Sequence, residues 1–191
     1  DDNGYNQIWK QSKATLLRSV RRCEYIISQI SDTLKSCMLE IGCGTGDMTY
    51  MLAGKIKVFI IGVDICAPFI AEANKKYKKT NLKYEIADFN NMEKIQNITG
   101  GKLLDSVVGN GILHHLYRNL DSSFTAIKNI LKPGGKIVFL EPNLLNPYCF
   151  LIFNIPVLRK ITKLDPEEMA FSKGFIEKKL NSAGFVNVKV E

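Results

Sequence analysis

The sequence is poor in histidine and tryptophan, and it lacks both paired cysteines and any long hydrophobic run. No stretch approaches the roughly eighteen apolar residues that a membrane-spanning helix requires, so we expect no such helix. The five cysteines include no C-x-x-C pair. This spacing predicts no metal site and favours reduced thiols in a cytoplasmic protein. The polar, acidic opening Asp1–Gly4 predicts no signal peptide.

The composition that is present is that of an ordinary globular protein. The 191 residues are 46% hydrophobic and 24% charged, which predicts one domain over residues 1–191 with a substantial core. The net charge of +7 suits a nucleic acid, an anionic membrane surface or an acidic substrate. The lysines are dispersed, however, so an ordinary solvated surface is the preferred interpretation of this charge.

Short apolar runs alternate with helical patterns along the chain. Leu16, Val20, Cys23, Ile27 and Ile30 fall at helical spacing and predict an amphipathic N-terminal helix. Near-continuous apolar strands separated by helices are typical of a parallel sheet buried on both faces. We therefore predict an α/β fold, with a doubly wound, Rossmann-like and mostly parallel sheet and helices on both faces. The predicted strands are Cys37–Ile41, Val58–Val63, Leu82–Ala87, Leu103–Val108, Lys136–Leu140 and Val186–Val190.

The stretch LEIGCGTGD, residues 39–47, follows the first of these runs. Glycines at the carboxyl end of a parallel strand let the backbone turn sharply and approach a ligand. A dinucleotide fingerprint would read G-x-G-x-x-G, but here Asp47 stands where the third glycine would be. Asp47 and Glu40 add negative charge, which disfavours a pyrophosphate and a dehydrogenase. The loop favours a ligand that carries an ammonium or sulfonium group.

Two further carboxylates follow the next strands. Asp64 ends the second strand, at the usual position of a residue that holds ribose hydroxyls. Asp88 ends the third and suits an adenine amino group, with the Phe89 amide beside it. Both aspartates also suit helix caps, and the glycines suit a plain turn. Glu40 is harder to explain structurally, because a carboxylate in a buried strand is costly without a partner. Together these residues describe S-adenosylmethionine.

The chain resembles a class I S-adenosylmethionine-dependent methyltransferase of the broad small-molecule type. The resemblance covers about Met38 to Glu191. It rests on LEIGCGTG (39–46), IGVDI (61–65), ADF (87–89), DSVVGNGILHHL (105–116) and LKPGGKIVFLEPN (131–143). It implies a methyltransferase that takes S-adenosylmethionine and releases S-adenosylhomocysteine. The cofactor-binding residues it implies are Glu40, Gly42, Cys43, Gly44 and Gly46 around the methionine part, Asp64 at the ribose, Ile65, Asp88 and Phe89 at the adenine, and Asn110 at the amino group.

Methyl transfer from a sulfonium is an in-line displacement, so the protein mainly positions the nucleophile and excludes water. A base is needed only where the nucleophile must lose a proton. His115 and His114 are the candidates, because they lie just past the fourth strand and titrate near neutral pH. Support of the loop or of the cofactor is their alternative role. The candidate substrate residues are Glu141, Asn143 and Tyr148, and Glu141 also suits a cap of the following segment.

The segment Leu144–Leu164 is apolar, is interrupted by two prolines and ends with basic residues. By the resemblance it occupies the substrate-cap position, so we expect a cap insertion over residues 144–165. An apolar cap implies a small apolar or amphipathic acceptor, such as an isoprenoid or a lipid-linked molecule. The alternatives are ordinary packing on the N-terminal helix and shallow membrane contact through Arg159, Lys160 and Lys163.

Three further expectations complete the interpretation. Residues 1–35 are expected to form an N-terminal helical lid, in which Tyr5 and Trp9 either cover the cofactor or simply pack. The family's sheet has seven strands, and the chain is expected to stop in the sixth, so that the seventh is missing. That would leave an exposed sheet edge.

The rival functions are a nucleic-acid methyltransferase and a non-catalytic scaffold that binds the cofactor. Amino-methylating enzymes of nucleic acids carry an N-P-P-Y-like tetrapeptide after the fourth strand, where this chain reads Asn110-Gly111-Ile112-Leu113. A nucleic-acid partner is therefore not expected. The cofactor motifs argue against a scaffold, and turnover of any acceptor would exclude one.

Overall fold

The computed structural model describes residues 13–164 and 168–191. A 3-10 helix spans Leu113–Asn119. The strands are β1 (Cys37–Ile41), β2 (Phe59–Asp64), β3 (Leu82–Ile86), β4 (Leu104–Asn110) and β5 (Leu131–Leu140). The helices are α1 (Lys13–Ile30), α2 (Asp47–Lys55), α3 (Ala67–Lys76), α4 (Met92–Thr99), α5 (Leu120–Ile130), α6 (Pro147–Asn154), α7 (Pro156–Ile161) and α8 (Lys173–Ser182).

The five strands form one parallel sheet in the order β3-β2-β1-β4-β5. The chain runs outward from β1 to β3 and then crosses back to β4 on the other side of β1. Ligands of such sheets bind beyond the carboxyl ends of the strands at this reversal. The predicted doubly wound parallel sheet is confirmed, and the first five predicted strands are present with shifts at their ends.

Helices cover both faces of the sheet. On one face Leu39 of β1 packs in a cluster with Phe124 and Ile127 of α5. On the other face Met38 belongs to a cluster with residues of α1 and α2. Alternate residues of β1 thus serve opposite cores, as the period of two in a strand requires.

The strand β5 begins earlier than the sequence predicts. Leu131 pairs with Leu104, and pairing resumes at Lys136 opposite Ser106, so the ladder shifts register between these two pairs. The intervening Pro133-Gly134-Gly135 turn forms a bulge within the strand rather than a loop before it. Proline and glycine are tolerated there because a bulge leaves backbone groups outside the ladder.

The predicted sixth strand over Val186–Val190 is wrong. The described residues contain five strands, with neither a sixth nor a seventh among them, and Val186 is 81% exposed. Asn187 has φ 56°, a left-handed conformation that interrupts an extended backbone. This run pairs with none of the five described strands, so its backbone belongs to no ladder.

The helix α1 packs as part of the core. Cys23, Ile26 and Ile30 are fully buried, whereas Leu16 is exposed. The buried stripe thus includes Ile26, and the predicted Ile27 is partly buried against the same core. Tyr5 and Trp9 lie outside the described residues. None of the described helices is both long and apolar enough to cross a membrane.

The segment between β5 and α8 forms an excursion from the sheet, which we call the cap. It contains α6 and α7, and Asn146 caps α6 by accepting hydrogen bonds from the Tyr148 and Cys149 amides. Its base is closed where Phe171 N donates to Pro142 O and Leu144 N donates to Phe171 O. Several of its large apolar side chains are exposed. They are Leu145, Tyr148, Phe150, Leu151, Val157 and Ile161.

Candidate functional site

The loop between β1 and α2 is shaped by its last glycine and by Tyr84 of β3. Gly46 has φ 80°, a conformation that side chains rarely adopt, and a Cβ there would lie 2.6 Å from the Tyr84 ring. The Tyr84 hydroxyl donates to the Gly46 carbonyl at 2.8 Å. Burial raises the pKa of Tyr84, so this hydroxyl keeps its proton. The glycine is therefore required by packing, whether or not a ligand is bound.

Gly44 stands at the open side of the same loop. Its φ is 52°, and a Cβ at this position would meet no atom within 4 Å. Its amide donates to Asp64 Oδ2 at 2.8 Å, and the Cys66 amide donates to Asp64 Oδ1 at 2.9 Å. Asp64, the residue predicted to bind the ribose, is thus held by two backbone amides, next to a glycine backbone that no side chain covers. The neighbouring Cys43 is buried, which raises the pKa of its thiol and makes it a packing residue.

Glu40 is buried in β1, with 2% of its surface exposed. Its Oε2 has no hydrogen-bond partner among the described residues. Burial raises the pKa of this carboxyl to about 8, the Thr49 hydroxyl opposes the rise, and the charge of Asp64 adds to it. A buried acid of this kind is costly unless a partner compensates it. A ligand ammonium or sulfonium group would be such a partner.

Asp47 has a structural role that the sequence does not reveal. Its carboxylate accepts hydrogen bonds from the Thr45 hydroxyl at 2.7 Å, the Lys76 ammonium at 3.0 Å and the Tyr77 hydroxyl at 2.5 Å. Burial raises its pKa, but these donors outweigh burial and hold the pKa below its usual value. Because Lys76 compensates its charge, Asp47 repels a phosphate less than the sequence alone suggests.

The expected adenine-binding residues lie after β2 and β3. Ile65 is 71% exposed, although it is a large apolar side chain. Asp88 is exposed and accepts through Oδ1 from the amide and side chain of Asn90. Phe89 is buried in the core. Ile65 thus offers a free apolar surface, while Asp88 also stabilises the turn before α4.

The end of β4 is tied to the end of β5 by Glu141. Glu141 Oε1 accepts from the amides of Ile112 and Leu113 at 2.9 and 2.8 Å. Its Oε2 lies 2.8 Å from His114 Nδ1. Asn110, the last residue of β4, pairs with Leu140. Glu141 therefore fixes both the first turn of the 3-10 helix and the ring of His114.

His115 contacts Glu168, which lies near the C-terminal end of the cap. His115 Nδ1 lies 3.2 Å from Glu168 Oε1, and the two histidine rings are 4.1 Å apart. Asn143 does not join this group through any described contact, since its Oδ1 accepts from the Leu145 amide and its backbone bridges to Phe171. Tyr148 is exposed on α6, also without a described contact to the histidines.

Sequence reasoning missed three residues that shape the site. Tyr84 supports Gly46, the side chain of Ile112 lies against Gly42, and Glu168 reaches His115. Ile112 follows the end of a strand and Tyr84 lies in a strand, so the sequence indicated only that both residues pack in the core. Nothing in the sequence pointed to Glu168, because it approaches the 3-10 helix only through the folded path of the cap.

These residues fit S-adenosylmethionine at the point where the strand order reverses. The open backbone at Gly44, the fixed carboxylate of Asp64 and the exposed Ile65 suit a nucleoside, and the unpartnered Glu40 oxygen suits a cationic tail. Residues 38–135, about half of the chain, match the family described as "Methyltransferase domain". The chain belongs to the class I S-adenosylmethionine-dependent methyltransferase family.

Individual relatives agree with this assignment. The chain is 29% identical over 113 residues to "Uncharacterized methyltransferase Mb0092" of Mycobacterium bovis, a match that covers 58% of this chain and 54% of that protein. The chain thus spans about half the length of this curated relative.

Solved structures show the same fold. Phosphoethanolamine N-methyltransferase 2 of Haemonchus contortus, in complex with S-adenosyl-L-methionine, matches 90% of this chain and 38% of its own at 20% identity, with a TM-score of 0.66. The cyclopropane synthase MmaA2 of Mycobacterium tuberculosis matches 89% of this chain and 61% of its own at 16% identity, with a TM-score of 0.69. At such identities the likeness concerns the fold alone.

Proposed function

We propose that the protein transfers a methyl group from S-adenosylmethionine to a small-molecule acceptor. The observation that carries this proposal is the fixed carboxylate of Asp64, which the Gly44 amide holds beside the open side of the glycine loop. A carboxylate held in this position can accept hydrogen bonds from both ribose hydroxyls without a change in its own conformation. The carboxyl group of Glu40 lies in β1, two residues before the loop begins, and suits the cationic amino-acid tail.

The residues divide between the parts of the cofactor. Glu40 and the loop Gly42, Cys43, Gly44 and Gly46 hold the methionine part, and Asp64 holds the ribose. Ile65 covers the adenine face, while Asp88 and the Phe89 amide bind its edge. The backbone of Asn110 contacts the amino group. These roles are supported by the family membership and by the common position of these residues at the carboxyl ends of β1, β2, β3 and β4.

The acceptor side lies past β4 and β5. S-adenosylmethionine, when bound, supplies a methyl group already activated by its sulfonium. The protein therefore has to place the acceptor in line and exclude water. We propose that His115 or His114 acts as the base that accepts the proton of a hydroxyl or amine acceptor. Glu141 holds the ring of His114, and Glu168 contacts the ring of His115.

We propose an apolar or amphipathic acceptor. The cap returns to His115 through Glu168, so the cap and the histidines share one side of the molecule. The exposed apolar side chains of α6 and α7 would lie against an acceptor of that kind. The same surface, with Lys160 and Lys163, supports shallow contact with an anionic membrane. The five free cysteines support a cytoplasmic location.

Calorimetric titration with S-adenosylhomocysteine, run beside NAD, tests the proposal. We expect S-adenosylhomocysteine alone to bind, and Asp64→Ala to abolish that binding. Asp121→Ala is the matched control, because Asp121 is an exposed aspartate on α5 whose partner is Lys179. Binding of NAD, or equal binding by the Asp64 variant, would contradict the proposed cofactor site.

A labelled methyl group then tests the acceptor class. Lipid extracts and water-soluble extracts are each incubated with protein and S-adenosylmethionine labelled in its methyl group. We expect the label in the organic-soluble fraction. Label in the aqueous fraction would refute the apolar acceptor but not the methyl transfer. Cofactor binding with no turnover in either fraction would favour a scaffold.

A further inference from the structure

The two histidines and Glu168 form a compact group of donor atoms. Each residue offers one ring nitrogen or carboxylate oxygen, and these three atoms lie within 4.8 Å of one another. His115 Nδ1 and Glu168 Oε1 are 3.2 Å apart. Two ligands of one ion, each at about 2.1 Å, lie about 3.4 Å apart at the tetrahedral angle. One pair of the three therefore already has the spacing of ligands to a common ion.

The surroundings of His114 match those of a metal-binding imidazole. The carboxylate of Glu141 accepts from His114 Nδ1–H at 2.8 Å, which places the ring's lone pair on Nε2. Glu141 is itself fixed by the amides of Ile112 and Leu113. A carboxylate behind a histidine is the usual outer partner of a metal-bound ring, because it sets the tautomer and raises the ligand's basicity.

Position and charge favour a cation at the same place. The side chains of Glu168 and Glu141 are only 12% and 10% exposed, and His114 is buried. Glu141 is already compensated by its donors, so the carboxylate that a cation would compensate is that of Glu168, which faces His115. Arg159 donates to the backbone carbonyl of Glu168 at 3.1 Å and so helps to hold this part of the cap near the 3-10 helix.

We propose that His114, His115 and Glu168 bind one divalent cation of the zinc class. Two imidazoles and one carboxylate suit Zn²⁺ and similar first-row ions, whereas Mg²⁺ and Ca²⁺ prefer oxygen ligands alone. The sequence predicts no such site, because Glu168 is 53 positions beyond His115 and only the cap brings them together.

The cation would act on the acceptor, and this part of the inference rests on the proposed function. Three protein ligands leave a coordination position open for water or for an acceptor hydroxyl. With the cation bound, both rings act as its ligands, so a hydroxyl held there gives its proton to water rather than to a histidine. Its oxygen then forms the new C–O bond while the C–S bond of the sulfonium breaks, and the electron pair of that bond stays on sulfur.

The test uses metal alone, with the whole chain stripped by a chelator and no cofactor added. Zn²⁺ is titrated calorimetrically, and Co²⁺ is titrated by absorption, which separates nitrogen and oxygen ligands from thiolates. We expect one equivalent to bind, with Glu168→Gln and His115→Gln each weakening the affinity at least tenfold. Glu177→Gln is the matched control, because Glu177 lies on α8 and pairs with Lys173. Melting curves confirm that each variant is folded.

Histidine-ring NMR of the wild-type chain gives a readout that needs no variant. The sequence has two histidines, so both ring signals are assignable, and Zn²⁺ should shift both at one equivalent. The proposal is overturned if neither ring signal moves, if Glu168→Gln binds as tightly as wild type, or if the Co²⁺ spectrum shows thiolate charge transfer. Binding of S-adenosylhomocysteine is measured separately. A failure of the metal proposal therefore does not count against the proposed methyl transfer.

Discussion

The Gly44 amide donates a hydrogen bond to Asp64 Oδ2 at 2.8 Å, so the glycine loop and the carboxylate after β2 form one unit. Asp64→Asn should weaken binding of S-adenosylhomocysteine about ten- to a hundredfold, since hydrogen bonds to a charged group contribute about 1.5–3 kcal/mol. The same change should speed hydrogen exchange at the Gly44 amide. Asp121→Asn should alter neither quantity. Unchanged exchange at Gly44 would show that the loop holds its shape without Asp64.

Binding of the cofactor should release a proton from Glu40. With a pKa of about 8, this carboxyl is mostly protonated at neutral pH in the free protein. A cationic tail favours the ionised form, so close to one proton should leave at pH 7, and affinity should rise with pH up to about 8. Titration calorimetry in two buffers with different ionisation enthalpies measures this release.

The free protein should show the opposite dependence on pH. The folded state holds the Glu40 proton more tightly than the unfolded state, whose pKa is about 4.5. The contribution of Glu40 to the free energy of unfolding is therefore present below about 4.5 and is lost as the pH rises towards about 8. Glu40→Gln should remove both effects, while Glu85→Gln, at a partly exposed position beside Lys83, should remove neither.

Gly46→Ala should destabilise the fold for two reasons, backbone strain and a steric collision. The left-handed backbone costs about 1–2 kcal/mol for a residue with a Cβ, and the added methyl would collide with the ring of Tyr84. Gly100→Ala is the matched control, because Gly100 has φ 64° but faces open space. We expect urea unfolding to show about 3 kcal/mol lost at Gly46 and about 1 kcal/mol at Gly100. If both variants lost the same free energy of unfolding, the collision with Tyr84 would contribute nothing to the effect at Gly46.

Asp105 should make the fold sensitive to acid. Its buried carboxylate accepts from the amides of Lys35, Ser36 and Cys37 and from the Lys132 ammonium. Burial raises its pKa, but these donors outweigh burial and hold the pKa at about 2. The stability it contributes is present above about 3.8 and is lost as the pH falls towards 2.

Urea unfolding at two pH values tests the contribution of Asp105 to stability. Asp105→Asn should cost about 2 kcal/mol near neutral pH, and the difference from wild type should shrink near pH 2. Asp32→Asn is the comparison, since Asp32 pairs with Lys136 at the exposed surface and should change stability little. A difference for Asp105→Asn that stayed constant with pH would show that its charge is not the cause.

Much of the fold was predictable, because apolar runs and glycines act locally. The order of strands and helices follows from patterns a few residues long, and the parallel sheet follows from their alternation. Val186–Val190 shows the limit of this reasoning. Its apolar pattern is that of a strand, but a strand also needs a neighbour, and the pattern carries no information about one.

The site shows the same division between local and distant causes. Glu40, Gly44 and Asp64 were predicted as cofactor-binding residues from their positions near strand ends, which is local information. The compensation of Asp47 by Lys76 and the approach of Glu168 to His115 join residues far apart in the chain. Glu141 was selected as a substrate or capping residue, but its four donors emerge only when β4 and β5 lie side by side.

The cap leaves the sheet after Pro142 and returns at Phe171, and two backbone hydrogen bonds join it at that single point. Nothing in the β-ladder passes through it, so its length and composition can drift without breaking the sheet. A change in the cap therefore leaves the glycine loop and the carboxylates of β1 to β3 in place. Under the proposed function, a different cap would change the methyl acceptor while the methyl donor stayed the same.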